Sequence, residues 1–232
     1  MIDLDEGWRN ERLDLEPLTV AHAAELAPLL DDTRLHEFIG GAPASAAALE
    51  DRYARLAVRR SPGGDQMWGN WVLRLHGSGS AVWTVQATLP AGGPAAGPAE
   101  VAWVVTHAAQ GRGYAKEAAR SLVGRLHEAG WTVVAHIHPR HLASQQVACA
   151  AGLVPTAEVH DGEVRWVRSP AAAPSGPRGS RSRPAPPAEA AVPPGGLGGP
   201  GRGRCADRPA NGLHQGVAGR SHHGGLGHRQ AG

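Results

Sequence analysis

The fold of this chain is constrained most by one junction, where a continuous apolar run gives way to a helical period. The run EVAWVVT at 100–106 is typical of a buried strand, whereas the apolar residues of 114–129 recur at helical spacing. Gly111 and Gly113 separate the two patterns, and Gly130 ends the helix. A buried strand that leads directly into an amphipathic helix predicts a layered α/β structure.

Strands and helices alternate on both sides of this junction. Residue patterns predict strands at Arg12–Leu18, Asn70–Leu75, Ala81–Leu89, Trp131–Ile137, Val154–His160 and Glu163–Arg168. Helical spacing predicts further helices at Val20–Leu30, Ala44–Arg60 and Leu142–Ala151, with Thr19 and Ser45 as N-caps of the first two. The turns HGSGS and Asp161-Gly162 predict hairpins. The order β-α-α-β-β-β-α-β-α-β-β predicts one mixed α/β domain.

Composition divides the chain into an N-terminal extension (1–9), a folded domain (10–168) and a tail (169–232). From Ala171 to Gly232 there are 15 Gly and 9 Pro in 62 residues. Such a segment buries too little apolar surface to offset the entropy of ordering it, so we predict a disordered tail. Residues 1–170 hold 15 basic and 19 acidic groups, a formal −4, whereas the tail is formally +6. The charge of the domain argues against nucleic acid as its partner, and the basic tail leaves an RNA association open as a weaker alternative.

The sequence also bears on the compartment. The first residues, MIDLDEGWRNERL, lack the basic and apolar regions of a signal peptide, and no apolar run has the length of a membrane span. Two cysteines, Cys149 and Cys205, form neither a CxxC pair nor a disulfide framework. We therefore expect a cytoplasmic protein without a membrane partner. The sequence does not indicate its oligomeric state.

The loop Gln110-Gly111-Arg112-Gly113-Tyr114-Ala115 joins the buried strand to the helix and favours a phosphate site. The first amides of a helix have no intrahelical partner and lie at the positive end of its dipole, while glycine lets a ligand approach the backbone. A tight turn without a ligand would use the same glycines. Two other phosphate loops are excluded, since GxxxxGK[ST] is absent and no glycine follows Gly111 and Gly113 where GxGxxG would need one.

Two blocks of sequence resemble the GNAT acetyltransferases. Gln110-x-x-Gly113-x-Ala115, between a buried strand and an Ala-rich helix, is similar to their pyrophosphate-binding motif, and QGRGYAKEAARSLV is close to the branch of ribosomal-protein N-terminal alanine acetyltransferases. The second block, His141-x-x-Ser144-x-x-Val147 followed by AAGL at 150–153, resembles that branch's N-x-x-S-x-x-V…G-[FL] pattern. The resemblance covers residues 10–168 and implies a mostly antiparallel central sheet flanked by helices.

The resemblance also implies site residues. The amides of Gly111, Arg112, Gly113, Tyr114 and Ala115, with Gln110 of the motif, would hold the pyrophosphate of acetyl-CoA. Val104 and Val105 would pair with the pantetheine arm, and Ser144 would face the thioester or the CoA sulfur. Three positions depart from the family: His141 replaces Asn as a cofactor contact, Ala148 replaces a proton-donating Tyr, and Ala109 replaces an aromatic residue.

The implied reaction is direct attack of a primary amine on the thioester. It needs a neutral amine and stabilisation of the departing thiolate. Glu100, at the start of the strand, is the candidate base, directly or through a water, and Ser144 is the candidate donor to the sulfur. An α-amine costs less deprotonation at neutral pH than a lysine amine, which favours a protein N-terminus or a small molecule with such an amine. No metal is predicted, since His136, His138 and His141 lack a fourth ligand at recognised spacing.

Besides the weaker RNA alternative for the tail, two readings of the domain's function remain open. The first is an acetyl-CoA-dependent N-acetyltransferase acting on a small molecule or a protein N-terminus. The second is a CoA-binding sensor or scaffold without turnover, which the residues at 141 and 148 keep open. The acceptor depends on the loops at 36–44 and 61–69, where His36 and Glu37 are candidate lining residues.

Overall fold

The computed structural model describes residues 2–30 and 44–169 of the 232-residue chain. Residues 170–232 of the predicted tail, and His36 and Glu37, lie outside the described residues. The strands are β1 (Trp8–Arg9), β2 (Leu13–Pro17), β3 (Gln66–Leu75), β4 (Ala81–Pro90), β5 (Ala99–Val105), β6 (Val133–Ile137), β7 (Val154–His160) and β8 (Glu163–Arg168). The described helices are α1 (His22–Leu30), α2 (Ala46–Ala57), α3 (Tyr114–Glu128) and α4 (Leu142–Ala150).

The eight strands form one sheet in the order β1-β2-β3-β4-β5-β6-β8-β7. Every neighbouring pair is antiparallel except β5 and β6, which are parallel. The parallel pair arises because α3 carries the chain from the end of β5 back to the start of β6, as a crossover connection requires. The prediction of a mixed α/β fold with a mostly antiparallel sheet is confirmed.

Two apolar clusters cover the two faces of the sheet. One face packs against α3 and α4 through Leu122, Leu126 and Val147, and it includes the inward side chains of β5 such as Trp103. The opposite face packs against α1 and α2, and it includes Val104. We call these the α3/α4 face and the α1/α2 face. Since strand side chains alternate, neighbouring residues of β5 serve opposite faces.

Element boundaries differ from the predicted ones at a few ends. β3 begins at Gln66, four residues before the predicted start, because it pairs with β4 along its whole length. The N-cap at Ser45 is confirmed, since its hydroxyl accepts from the Ala48 amide at 3.2 Å. α1 begins at His22, after a turn in which the His22 amide bonds the Thr19 carbonyl. The two-residue β1 was not predicted because so short a strand has no period.

The sheet opens between β5 and β6. The two strands pair only at Ala99↔Val133 and Glu100↔Val134, and the rest of β5, from Val101 to Val105, has no strand on that side among the described residues. β6 continues beside β8 instead. The fold therefore has a V-shaped split, with its vertex at Glu100 and its mouth at the end of β5, where the glycine loop begins.

Residues 2–9, predicted as an extension before the domain, pack against it. The Trp8 indole N–H donates to the Ser121 hydroxyl of α3 at 2.8 Å, and its ring meets that of Trp71 edge-on at 5.0 Å. The guanidinium of Arg125 lies 4.8 Å from the centre of the Trp8 ring. These contacts fasten the N-terminal segment to α3, the helix that follows the glycine loop.

A network of charges attaches α1 to the sheet. Arg74 of β3 contacts Glu16 of β2 at 2.6 Å and forms a two-pronged pair with Glu25 of α1 at 2.7 and 2.8 Å. His22 of α1 meets the same Glu16 at 2.6 Å. The Glu25 pair, and after it Glu16, holds the pKa of Arg74 above its usual range. Arg74 thereby sets the position of the helix that leads into residues 31–43.

Replacing Arg74 by Met tests this network. We expect the free energy of unfolding to fall by about 1–2 kcal/mol, because two carboxylates lose a shared partner while solvent screening limits the loss. Urea titration followed by circular dichroism measures the change. The matched control is Arg9→Met, whose pair with Asp14 leaves the arginine 74% exposed and should not matter measurably. Equal effects of the two substitutions would contradict this role.

Candidate functional site

The connection between β5 and α3 turns twice through left-handed backbone. After a short 3₁₀ turn at His107–Ala109, Gln110 is extended, and Gly111 and Gly113 have φ of 74° and 81°. A side chain at either glycine would be strained, although neither position is crowded by backbone. Gly113 is the N-cap of α3, and no side chain bonds the first helical amides.

This geometry leaves a row of amides without acceptors. Among the described residues, no protein group accepts from the amides of Gly111 to Lys116, and the first bond back into the turn is Glu117 N–H to the Gly113 carbonyl at 3.1 Å. Gly111 and Arg112 are exposed, and the following residues are half-buried. Six consecutive donors at the positive end of a 15-residue helix are an arrangement that favours an anion.

Arg12, at the entry to β2, holds the base of this loop. Its Nε meets Glu117 at 2.7 Å, its amide donates to the same carboxylate at 2.8 Å, and its Nη1 donates to the Arg112 carbonyl at 2.9 Å. Its guanidinium also lies over the Tyr114 ring, 4.9 Å from the ring centre. The Arg112 carbonyl is therefore occupied from behind, and the loop is fixed to the sheet through one side chain.

The open edge of β5 runs from this loop toward the vertex of the split. The Thr106 amide bonds the Val82 carbonyl of β4 at 3.1 Å, and the Ala99 amide bonds the Thr132 carbonyl at 2.8 Å. Since backbone groups alternate sides along a strand, Val105, Trp103 and Val101 direct their N–H and C=O toward the split, and Val104 directs its own toward β4. The Gln110 side chain donates to the Val105 carbonyl at 3.5 Å.

Ser144 and His141 lie on the α3/α4 face at the start of α4. Ser144 is 3% exposed, and its hydroxyl accepts a hydrogen bond of 3.3 Å from the indole N–H of Trp103. His141 is fully buried and caps α4, because its Nδ1 accepts from the Ser144 amide at 3.0 Å. The imidazole thus serves as the N-cap of α4. Ala148 is also fully buried, in the α3/α4 core.

Glu100 lies at the vertex of the split, on the face of the sheet opposite to that of Ser144. Its Oε1 is 3.1 Å from Nδ1 of His136 on β6, so the pair bridges the strands just where they part. Both residues belong to the α1/α2 face, since their strand neighbours pack into the α3/α4 core. The hydrogen bond to Glu100 is the main cause that raises the pKa of His136, against the effect of partial burial.

The structure thus brings the predicted residues to one split from two sides. The pyrophosphate-loop residues lie at its mouth, Glu100 at its vertex on the α1/α2 face, and Ser144 on the α3/α4 face. Within residues 2–30 and 44–169, no three His, Cys, Asp or Glu side chains group so as to hold a metal ion. Likewise, no helix in the described part of the chain is long and apolar enough to cross a membrane.

A family model, described as an acetyltransferase (GNAT) domain, matches residues 12–154 of the 232. This chain belongs to the GNAT acetyltransferases. The family that the two sequence blocks predicted is confirmed, and its members are acetyl-CoA-dependent enzymes. The resemblance to the branch of alanine acetyltransferases stays a prediction. No curated protein matches the chain.

Solved structures of the same fold come from several bacteria. A GNAT-family acetyltransferase from Bacillus anthracis is 16% identical, with 71% of this chain and 98% of that one covered and a TM-score of 0.56. A protein assigned as a ribosomal-protein-serine acetyltransferase in Vibrio cholerae is 18% identical, covering 73% and 100%, with a TM-score of 0.55. The aminoglycoside acetyltransferase AAC(6')-Ib, in complex with coenzyme A, is 19% identical, covering 68% and 94%, with a TM-score of 0.54. These likenesses establish the fold.

Three residues of the site were missed by sequence reasoning. Arg12 was read as part of an alternating strand, although its charge directly before an apolar strand start was a usable signal. In the sequence, His136 is only a candidate metal ligand, and Trp103 is only part of an apolar run typical of a buried strand. Their partners, Glu117, Glu100 and Ser144, lie between 36 and 105 positions away in sequence, so no local spacing could have paired them.

Replacing Arg12 by Gln tests whether the loop depends on its clamp. We expect the affinity for coenzyme A to fall about tenfold, or ~1.4 kcal/mol, because the loop backbone is released from Glu117 and from β2. Calorimetric titration with coenzyme A measures the change, and the thermal midpoint shows whether the domain stays folded. Arg9→Gln, an exposed arginine in the neighbouring strand, is the matched control. Unchanged affinity in folded Arg12→Gln protein would refute the clamp.

Proposed function

We propose that this protein is an N-acetyltransferase that moves an acetyl group from acetyl-CoA to a primary amine by direct attack. The observation that carries the proposal is the row of six unengaged amides at the mouth of a split sheet. Acetyl-CoA supplies a diphosphate for the amides, an amide-bearing arm for a strand edge, and an activated acetyl thioester. The site offers a matching feature for each of these three parts.

The diphosphate is assigned to the amides of Gly111, Arg112, Gly113, Tyr114 and Ala115. The left-handed φ at both glycines already turns these amides outward. The loop backbone therefore need not rearrange when they donate to an anion at the helix N-terminus. The exposed Arg112 side chain adds a charge that can follow the phosphates. Gln110 contributes indirectly, because its side chain holds the Val105 carbonyl where the loop leaves the strand.

The pantetheine arm is assigned to the open edge of β5. An extended chain with amide groups can add to such an edge as a further strand, using backbone groups that no other strand engages. Of the two valines predicted to contact it, Val105 offers its backbone, whereas Val104 packs into the α1/α2 core. From Val105 to Glu100 the strand runs five residues, roughly 17 Å, so the arm leads from the loop to the vertex.

The chemistry is assigned to the vertex. Glu100, the candidate base, lies there on the α1/α2 face, and Ser144, the candidate donor to the departing sulfur, lies on the α3/α4 face beside Trp103. Trp103 directs its N–H at the Ser144 oxygen, so the hydroxyl proton is left for another acceptor. An amine that enters from the α1/α2 face would meet a thioester whose departing sulfur is supported from the α3/α4 face. Since His141 engages the Ser144 amide as a cap, we assign it the support of that serine. The cofactor contact that the family resemblance implies for His141 stays a prediction.

A CoA-binding sensor or scaffold without turnover is the alternative. The buried Ala148 favours it, because a methyl group in the core cannot protonate a thiolate. Transfer then requires that the sulfur take its proton from the attacking amine itself, with Ser144 stabilising it by a hydrogen bond. This route is sufficient because the amine must lose that proton in any case.

The acceptor is proposed to be an α-amine of a peptide or an amine of a small molecule. Among structural relatives, one is assigned as a ribosomal-protein-serine acetyltransferase and another is an aminoglycoside acetyltransferase, so the names cover both protein and small-molecule acceptors. An α-amine, with an ordinary pKa near 7.7–8.0, asks less of the base than a lysine amine near 10.4.

A thiol-release assay with the full-length protein tests the function. We expect acetyl-CoA-dependent release of thiol with at least one member of a panel of peptides with free Ala or Ser N-termini, aminoglycosides and polyamines. Calorimetry with coenzyme A is run beside it, so that binding and turnover are measured separately. Tight binding without release on any amine would favour the sensor, and no binding at all would contradict both readings.

Two glycine variants in the same element make this test specific. Gly113→Ala strains the backbone at φ 81° and should lower the affinity for coenzyme A about tenfold or more. Gly124→Ala places the same methyl group in the middle of α3, where no atom of the described residues lies within 4 Å apart from the helix's own neighbouring backbone, and should leave binding unchanged. Equal behaviour of the two variants would mean that the loop does not hold the diphosphate.

A further inference from the structure

Glu100 does not stand alone at the vertex, because His136 completes a pair across it. In the parallel register, Glu100 is the last residue of β5 that pairs with β6, opposite Val134. His136 lies two positions further along β6, on the same face as Glu100, at the point where the strands separate. The 3.1 Å contact between Oε1 and Nδ1 is therefore a side-chain bridge over the beginning of the split.

The charged groups around His136 come from three strands. Glu100 of β5 bonds its ring, Glu163 of β8 raises its pKa further, and Arg165 of β8, its partner in the sheet, lowers it. His160 of β7 lies 6.5 Å away between ring centres. With Glu100 as the largest cause, the net direction of the pKa is upward. The imidazole is thus a stronger base than an isolated histidine, and its side chain remains 22% exposed.

The orientation of the ring decides which atom can take up a proton. With Nδ1 directed at the carboxylate, a neutral imidazole is stabilised as the tautomer that donates Nδ1–H to Glu100. Nε2 is then the basic nitrogen. A carboxylate that holds an imidazole in this way both orients it and stabilises the imidazolium that forms when it is protonated.

We propose that His136 is the general base of the transfer and takes the amine proton at Nε2. Glu100 is the residue that orients the ring and stabilises its protonated form. This inference rests on the proposed function and sharpens the role of Glu100, which acts through the ring instead of alone. It also identifies the α1/α2 side of the split as the side from which the amine enters, because both members of the pair lie on that face.

The proton and bond changes balance as follows. The acceptor enters as an ammonium and gives one proton to Nε2 of His136, which becomes imidazolium. The amine nitrogen forms a bond to the thioester carbonyl carbon, the carbon–sulfur bond breaks, and the sulfur leaves with the electron pair. A second proton passes from the nitrogen to the sulfur, near the Ser144 hydroxyl, and gives the free thiol. The imidazolium then releases its proton to solvent.

A purely mechanical role makes different predictions. If the pair only joins β5 to β6, its loss lowers stability and leaves the pH dependence of transfer as it was. If His136 is the base, transfer requires its neutral form, so the rate rises with pH through the pKa of the ring. Because Glu100 raises that pKa, removing the carboxylate should move the rise to lower pH.

The experiment compares His136→Gln and Glu100→Gln with His22→Gln, a histidine that pairs with Glu16 at 2.6 Å far from the split. The readouts are kcat between pH 5.5 and 9 with an amine of the panel that gives thiol release, calorimetry with coenzyme A, and NMR titration of the His136 ring. We expect kcat to fall about 100-fold in His136→Gln and no longer to rise with pH through the pKa of the ring. Glu100→Gln should shift both the ring titration and the rate profile to lower pH, and His22→Gln should leave all three readouts unchanged.

Three results would overturn the inference. One is a wild-type rate profile in folded His136→Gln protein, with only its thermal midpoint lowered. The second is a His136 ring that titrates in the same way in the wild-type and Glu100→Gln proteins, a comparison that requires no turnover. The third is a set of variants that change coenzyme A affinity and not kcat. If no amine in the panel gives thiol release, the proposed function is contradicted, and so is the inference that rests on it. The two failures are therefore distinguishable.

Discussion

Backbone hydrogen bonds that the protein leaves unmade at the end of β5 are the constraint on which the site depends. Helix α3 begins at Gly113 without a side-chain cap, and the amides from Gly111 to Lys116 meet no acceptor in the part of the chain that is described. Each such donor is satisfied by water or by a ligand, and an anion is favoured further by the helix dipole. Arg12 maintains this arrangement from behind, because it occupies the Arg112 carbonyl and ties the loop to β2.

Within the described residues, the sheet likewise leaves backbone groups without partners. Since β5 and β6 pair at only two positions, the remaining edge of β5 offers unpaired backbone groups that a closed sheet would consume. The split also divides the side chains between two faces. Ser144 and Trp103 lie with α3 and α4, whereas Glu100 and His136 lie with α1 and α2. In the proposed direct transfer, a leaving group and an incoming amine would therefore have separate surroundings.

The sequence predicted the fold well because its strongest signals are local. The apolar run of β5, the stripe of α3 and the turn at Asp161-Gly162 each report structure within a few residues, and their order implies the layers. The site was predicted only where a motif is local too, as in the glycine loop. The Arg12–Glu117 and Glu100–His136 contacts join residues 105 and 36 positions apart, and only the packing of the sheet brings them together. Likewise, the capping of α4 by His141 could not be read from one substituted motif position.

The central claim is that the backbone around Gly111 and Gly113 holds the diphosphate of coenzyme A. Amide chemical-shift mapping of the labelled protein, with coenzyme A in one titration and pantetheine, which lacks the diphosphate, in the other, addresses it most directly. The claim predicts that the amides of residues 111–116 shift strongly with coenzyme A and little with pantetheine, while those along β5 respond to both. Coenzyme A binding that leaves the amides of 111–116 unmoved would contradict it.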